Sequence, residues 1–276
     1  MNDLDPRRLS AHELRSRIDT RRPHSARFWN YFVGGKDHYP VDRALGDQIK
    51  QIFPGLLDVA LASRRFLGRA VTHLAGECEV RDFLDIGTGL PTADNTHEVA
   101  QRVAPDARIV YVDNDPLVLA HARALLTSTA EGRAFYLDAD LYQPEAILES
   151  AVPLFDRDRP VALMLLNVLG HVAEYERARE LVGRLMNGLP TGSYLVISDS
   201  TATSDGMIEA SAAYNRSGAV PYYVRSVEEI AGFFDGLELV DPGVVEVTRW
   251  RPETGAETPW AAAGAVDAYC GVGRKR

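Results

Sequence analysis

The stretch FLDIGTGLPT at residues 83–92 leads an apolar run into an aspartate and then into two glycines separated by one residue. The apolar run is typical of a buried strand, and the glycines favour a sharp turn before a helix. Gly87 and Gly89 also let the backbone approach a ligand closely, because neither carries a Cβ atom. The stretch therefore predicts either a binding turn that includes Asp85 and Thr88 or a plain strand-to-helix connection.

Beyond residue 81, short β-rich runs alternate with helical ones, which is the pattern of βαβ units and a parallel sheet. Strands are predicted at about residues 81–86, 108–113, 134–138, 161–167 and 193–199, with helices at 92–103, 116–128, 142–150 and 174–188. The sequence thus predicts an α/β fold. In an open parallel sheet of this kind, the carboxyl ends of the strands face one crevice, where ligands bind.

The remaining segments surround this core. Residues 1–25 carry many charges and little apolar periodicity, which predicts a flexible N-terminal arm. Residues 26–78 have helical periodicity and predict a helical cap on the core at 79–276, within a single domain at 26–276. The C-terminal runs LELVDPGVVEVTRW and AVDAYCGVGRKR predict two strands of a hairpin, and residues 203–225 are a candidate lid.

Composition narrows the classes of function. The formal net charge of −9 makes nucleic acid an improbable partner. The two cysteines form no C-x-x-C motif, the histidines form no metal-binding spacing, and no apolar run is long enough for a membrane helix. The charged N-terminus lacks the apolar region of a signal peptide. We therefore expect a cytoplasmic protein with no metal site and no membrane contact.

Polar residues follow the next strands at the predicted crevice. Asp113 ends the second strand, where an acidic residue can accept both hydroxyls of an adenosine ribose, and Asn114 follows it directly. Asp140 and Leu141 come just after the third strand, in reach of an adenine amine and ring edge. Asn167 ends the fourth strand, near the reacting end of such a ligand. This pattern is shared by sites for NAD and for S-adenosylmethionine (SAM).

Longer motifs carry a family resemblance. The runs DIGTGLPT, YVDNDP, ADL, NVLGHV and VISDS resemble class I SAM-dependent methyltransferases. More narrowly, YFVGGKDHYPVDR, RRFLGRAV, FLDIGTGLPT, VYVDNDPLVLAHARALL, FFDGLELVDPGVV and GVGRK resemble a bacterial S-adenosyl methyltransferase family formerly filed as a domain of unknown function. The resemblance spans about residues 25–275. The family pattern often has Asn-Arg where this chain has Ser63-Arg64.

The resemblance implies a Rossmann-like, seven-stranded sheet whose last strand is antiparallel, with helices on both faces and SAM as cofactor. It assigns SAM contacts to Asp85, Gly87, Gly89, Asp113 and Asp140. It does not identify the methyl acceptor, which we expect to be a small molecule. The oligomeric state is left open.

Two other functions stay open at this point. One is a catalytically silent protein that binds or senses SAM. The other is a dinucleotide oxidoreductase, which is disfavoured because the third glycine of its turn is missing and helical segments precede the first strand. The loop after the fourth strand also lacks the Asn/Asp-Pro-Pro-aromatic motif expected of an amine-directed DNA methyltransferase.

Candidate catalytic and cap residues complete the prediction. His171 follows the fourth strand and could accept a proton near neutral pH, with Tyr175 and Asp199 expected on the same side. The segment Gly34-Gly35-Lys36-Asp37 is expected to cover the site. There, Lys36 would pair with a carboxylate of SAM or substrate, and Tyr31 or Tyr39 would line the pocket.

Overall fold

The computed structural model describes residues 18–92, 94–125, 128–252 and 265–276. Its helices are α1 (Ser25–Phe32), α2 (Pro40–Ile52), α3 (Leu56–Gly76), α4 (Thr96–Val103), α5 (Pro116–Leu125), α6 (Pro144–Ala151), α7 (Tyr175–Asn187), α8 (Asp205–Asn215) and α9 (Val227–Gly232). Its strands are β1 (Asp82–Ile86), β2 (Arg108–Asp113), β3 (Arg133–Asp138), β4 (Val161–Leu166), β5 (Tyr194–Ser200), β6 (Glu238–Leu239), β7 (Val245–Glu246) and β8 (Ala268–Arg274). The five predicted parallel strands are confirmed within one or two residues.

The strands form one sheet in the order β3-β2-β1-β4-β5-β8-β6, with β7 also paired to β8. Strands β1 to β5 run parallel to one another. Strand β8 is antiparallel to β5, as expected for the last strand. Since β4 lies beside β1, the sheet reverses its strand order there, and ligands of open α/β sheets bind at such a point.

One detail of the sheet corrects the expected seven strands. The run predicted as one strand before the C-terminal strand is split into β6 and β7, both antiparallel to β8, so the sheet has eight strands among the described residues. Pro242 has no N–H group to donate to a ladder, and Gly243 has a positive φ of 84° and turns back to bond with the Val240 carbonyl. Residues 253–264, between β7 and β8, lie outside the described part.

Alternate residues of the central strands pack against helices on opposite faces. On one face Phe83, Ile109 and Met164 join a core with residues of α1 to α4 and α8. On the other face Leu84 and Leu163 join a core with residues of α6, α7 and α9. This confirms helices on both faces. Among the described helices, none is long and apolar enough to cross a membrane.

A buried ion pair fixes the N-terminal helices in place. Arg27 on α1 is 3% exposed and Asp42 on α2 is 0% exposed, and the Arg27 Nε atom lies 3.2 Å from Asp42 Oδ2. Asp42 also accepts hydrogen bonds from the backbone N–H groups of His24 and Tyr39, at 3.0 and 2.8 Å. The pair therefore joins α1, α2 and the chain before α1. Of the predicted arm at 1–25, residues 1–17 lie outside the described part.

We predict that Asp42→Ala lowers the free energy of unfolding by about 3–5 kcal/mol, because it leaves the Arg27 guanidinium buried without its carboxylate. Asp47→Ala on the same helix is the control, since Asp47 is exposed and accepts a hydrogen bond at the surface from the Tyr31 hydroxyl; its cost should stay below about 1 kcal/mol. Urea unfolding followed by circular dichroism measures both. Equal losses for the two variants would contradict the structural role of the pair.

Candidate active site

A cavity of about 380 Å³ lies at the carboxyl ends of the parallel strands, under α1 and α3. Its size is within the range of small-molecule and cofactor sites, about 300–1,000 Å³. The predicted cofactor and catalytic residues that line it are Asp85, Gly87, Thr88, Gly89, Asp113, Asn114, Asp140, Leu141, Asn167 and His171. The structure thus brings together residues at or just after the carboxyl ends of four different strands.

The two glycines of the turn have different physical roles. Both have positive φ values, 74° at Gly87 and 67° at Gly89, which other residues adopt only with strain. A Cβ atom at Gly87 would lie 2.5 Å from a methyl group of Val168, in the loop after β4. A Cβ atom at Gly89 would meet no other atom within 4 Å. Gly87 therefore permits close packing of two loops, and Gly89 borders open space in the cavity wall.

Asp113 connects this turn to the end of β2. One carboxylate oxygen accepts the Gly89 N–H at 3.0 Å and the other accepts the Asp115 N–H at 2.9 Å. Burial raises the pKa of Asp113, and these two backbone hydrogen bonds oppose the shift. A carboxylate offers about four lone-pair sites, so Asp113 retains acceptor capacity for ligand hydroxyls while it holds the turn.

The helix after the turn begins later than predicted. The sequence placed its start near residue 92, whereas α4 starts at Thr96 with Asn95 as its N-cap. Two N–H groups at its start are already engaged: the Asn95 N–H donates to Glu98 Oε2 and the His97 N–H donates to the Tyr111 hydroxyl, both at 2.8 Å. The turn at 87–89, rather than the helix N-terminus, borders the cavity.

Asp85 and Arg64 place opposite charges in the cavity wall. Burial raises the pKa of Asp85 to about 6, while the Thr96 hydroxyl, which donates to it at 2.6 Å, and the Arg64 guanidinium oppose the shift. Burial lowers the pKa of Arg64, which also donates to the Asp94 carbonyl at 3.0 Å. A zwitterionic amino-acid group can bind to such a pair of charges.

Asn167 combines two unusual features. It has a positive φ of 54°, a conformation in which Asn is enriched, and its backbone N–H bonds to the Ser198 carbonyl at 2.7 Å. Its side-chain oxygen is buried and has no hydrogen-bond partner within the part of the chain that the structure describes. Buried polar atoms rarely remain unpaired in proteins. This atom in the cavity wall therefore fits contact with a ligand that has a hydrogen-bond donor.

His171 is held in one tautomer at the cavity wall. Its Nδ1 atom lies 2.9 Å from the Pro221 carbonyl oxygen, which only accepts hydrogen bonds, so Nδ1 carries the proton and Nε2 keeps its lone pair. Burial lowers the pKa of His171, although the Pro221 carbonyl opposes the shift. Arg225 fixes the short 3₁₀ turn Leu169–His171 by donating to the Leu169 and Val172 carbonyls, at 2.9 and 2.6 Å.

Two predicted residues near His171 do not line the cavity. The Tyr175 hydroxyl donates to the Glu229 carbonyl at 2.8 Å and its ring packs on Phe233. Asp199 is 1% exposed and accepts a hydrogen bond from the Tyr222 hydroxyl. Burial raises the pKa of Asp199 to about 7. The structure therefore places both residues behind the loop that carries His171 rather than on the cavity surface.

The predicted cap residues Tyr31, Lys36 and Tyr39 also lie outside the cavity lining. Lys36 is exposed, and the Tyr31 hydroxyl donates to Asp47. The glycine segment reaches the cavity indirectly, through Asn30. A Cβ atom at Gly35 would lie 2.3 Å from the Asn30 amide, whose oxygen accepts the Asp37 N–H at 2.9 Å.

Other lining residues were not predicted from the sequence. Those from α1, α3 and the chain next to α1 include four aliphatic residues and the polar or aromatic residues His24, Ser25, Trp29, Asn30, Ser63 and Arg64. Their helices lie far from the strand ends in the sequence, and an arginine in an amphipathic helix is most often a surface residue. The only available signal was the Ser63-Arg64 pair, where the family resemblance had drawn attention to the position.

The S-adenosyl methyltransferase family model matches residues 11–276. The chain belongs to this family. SAM is therefore its cofactor, and the sheet described above is the Rossmann-like fold of class I methyltransferases. Family membership removes the dinucleotide oxidoreductase from the open alternatives.

Solved structures agree with this assignment. A DUF574 family protein from Streptomyces avermitilis is 42% identical with a TM-score of 0.88, over 94% of this chain and 100% of that one. A candidate methyltransferase from Thermobifida fusca is 39% identical with a TM-score of 0.84, over 92% of this chain and 96% of that one. A SAM-dependent methyltransferase from Anabaena variabilis, 15% identical with a TM-score of 0.50 over 90% and 92%, shares the fold. A search of curated proteins gives no match.

We predict that Asp113→Ala weakens SAM binding about tenfold or more, because it removes a charged acceptor and releases the Gly89 N–H. Asp138→Ala is the matched control. Asp138 ends β3 in register with Asp113, is exposed and does not line the cavity. Isothermal titration calorimetry should show an affinity within about twofold of wild type for this control. An unchanged affinity in Asp113→Ala would exclude Asp113 from the binding site.

Proposed function

We propose that this protein transfers the methyl group of SAM to a small-molecule acceptor, with SAM in the cavity of about 380 Å³. The observation that carries the proposal is that one cavity is lined by the glycine turn, Asp113, Asp140, Asn167 and His171 together. Membership of the S-adenosyl methyltransferase family supports the same conclusion. A location in the cytoplasm stays a prediction from the sequence.

One group of residues would hold the adenosine half of SAM, and a second group would hold its methionine half. Asp113 and Asn114 would bind the ribose, while Asp140 and Leu141, at the neighbouring strand end, would bind the adenine. Asp85, Arg64 and Asn167 offer complementary charge and an unpaired amide oxygen to the methionine half. These assignments agree with the order of the strands, because β2 and β3 lie on the same side of β1.

When bound, SAM supplies a methyl group on a positively charged sulfur, so that an acceptor lone pair can form the new bond while the carbon–sulfur electrons return to sulfur. The protein then has to orient the acceptor, exclude water and, for a protonated acceptor, remove a proton. His171 is suited to the last task because its Nε2 lone pair is free of the Pro221 hydrogen bond. Arg225 would act as a positioning residue by fixing the His171 turn.

Calorimetry and turnover test this function together. We predict that SAM and S-adenosylhomocysteine bind with a stoichiometry of one, that NAD does not bind, and that methyl-labelled SAM transfers label to at least one compound in a panel of small metabolites. Binding without any labelled product would favour a silent SAM-binding protein. Failure of SAM to bind would refute the proposal.

We predict that kcat/KM with the labelled acceptor decreases in acid, below about pH 6.5, since neutral imidazole is the base and burial lowers the pKa of His171 below its ordinary value. His171→Gln should lower kcat by about 10²–10⁴-fold and remove this acid decrease. The Asp85 carboxyl titrates in the same pH range, with a pKa of about 6. An acid decrease that persists in His171→Gln would therefore exclude His171 as the group responsible and leave the buried carboxyls of Asp85 and Asp199, with pKa values of about 6 and about 7, to account for it.

A further inference from the structure

A second, smaller cavity shares a wall with the first. Ser25, Trp29 and His171 line both cavities. The remaining wall of the smaller one is formed by residues of α1, α2, α8 and the chain at 222–224, with Leu56 at the start of α3 and Ser200 at the end of β5. A group placed at His171 therefore has the larger cavity on one side and the smaller one on the other.

The smaller cavity is apolar and has no fixed charge. Its wall includes Ile49, Leu56, Met207 and Ala210, and its described lining residues include no Asp, Glu, Lys or Arg; their titratable side chains are His171 and the phenols of Tyr214 and Tyr222. Burial lowers the pKa of His171, which keeps the imidazole neutral near pH 7. A charged group that entered this cavity would lose its hydration without gaining a counter-ion, which is costly. The cavity thus selects for uncharged groups.

Aromatic rings and one unpaired hydroxyl define its wall further. The rings of Phe28 and Tyr214 meet edge to face, with centroids 5.2 Å apart, and the rings of His171 and Tyr222 meet similarly at 5.1 Å. Tyr214 is 6% exposed, and its hydroxyl has no hydrogen-bond partner within the described residues. Aromatic side chains arranged in this way favour flat or branched apolar groups.

The size of the cavity limits what it holds. Its volume is about 40 Å³, and since one water-sized position takes roughly 10–15 Å³, it has room for about three small groups. A larger guest would extend toward the mouth of the first cavity, where Tyr142 and Val220 are unusually exposed for apolar residues, at 46% and 56%. This surface can cover the apolar body of a guest.

We propose that the smaller cavity takes the apolar end of the methyl acceptor, and that the acceptor is an uncharged, aromatic or branched molecule whose hydroxyl lies at His171. This rests on the function proposed above. The nucleophile has to be neutral because the cavity selects for uncharged groups, and it has to carry a proton that His171 can accept. A hydroxyl meets both conditions. Its proton passes to Nε2 of His171, its oxygen forms the bond to the methyl carbon, and the carbon–sulfur bond breaks with both electrons kept by sulfur.

Three probes test the class of acceptor on the wild-type protein saturated with S-adenosylhomocysteine. Para-ethylphenol and isoamyl alcohol are uncharged, whereas para-hydroxyphenylacetate has the phenol ring with a carboxylate on its side chain. We expect calorimetry to show at least one uncharged probe binding about tenfold or more tightly than the carboxylate. Equal or tighter binding of the carboxylate, or no binding of either uncharged probe, overturns the inference.

A pair of variants tests the location. Ala210→Leu fills the smaller cavity, and Ala213→Leu is the control because Ala213 lies on the same helix, is equally buried and lines neither cavity. We expect Ala210→Leu to weaken binding of the uncharged probe about tenfold, and Ala213→Leu to stay within about twofold of wild type. Similar affinities in the two variants overturn the location. The comparison of probes on the wild-type protein stands even where a variant fails to fold.

The affinity for SAM separates this inference from the proposed function. Ala210→Leu should bind SAM within about twofold of wild type, because Ala210 does not line the larger cavity. If the wild-type protein does not bind SAM, the proposed function is refuted. Normal SAM binding together with turnover confined to charged acceptors would refute only the inference about the acceptor.

Discussion

The contact between the Asp113 carboxylate and the Gly89 N–H is the interaction on which the candidate site depends. It joins the turn after β1 to the end of β2, and both of these segments line the larger cavity. The contact is possible only because Gly89 adopts a positive φ and because parallel pairing sets Ile86 opposite Val112, one residue before Asp113. Without it, the turn would lose the hydrogen bond that fixes it beside the cavity.

The roof of the cavity depends on a second constraint, the buried pair of Arg27 and Asp42. This pair orders the start of α1 and α2, and α1 supplies Trp29 and Asn30 to the cavity wall. His24, just before α1, also lies 2.9 Å from a carboxylate oxygen of Asp115, in the loop after β2. The N-terminal helices are thereby attached to the strand ends they cover, and a buried charge pair of this kind favours one arrangement because breaking it is costly.

Groups that line neither cavity orient the loop that carries His171. Arg225 holds two carbonyls of the loop, Pro221 fixes the imidazole tautomer, and the Tyr223 N–H bonds to the Gly170 carbonyl at 2.8 Å. Residues 203–225, predicted as a candidate lid, include these supporting contacts. The segment thus lines part of both cavities, with Val220 in the wall of the larger one and Tyr222 in the wall of the smaller one.

The sequence by itself determined the parallel sheet, the glycine turn that lines the larger cavity and the residues at the strand ends. Those features depend on local signals: apolar runs of strand length, glycines at a turn, and the rule that parallel strands end at one edge. It also determined that the last strand is antiparallel, through the family resemblance. The eighth strand was missed because Pro242 and Gly243 divide a run whose apolar pattern reads as continuous.

Only the tertiary structure decided which side chains of the N-terminal helices reach the cavity. Arg64, Trp29 and Asn30 line it, whereas Tyr31, Lys36 and Tyr39 do not, although all of them belong to the predicted cap. The periodicity of a helix shows that it has an apolar face, but not how the helix is rotated and placed on the sheet. That placement is set by long-range contacts, such as the one between Arg27 and Asp42, which no local pattern encodes.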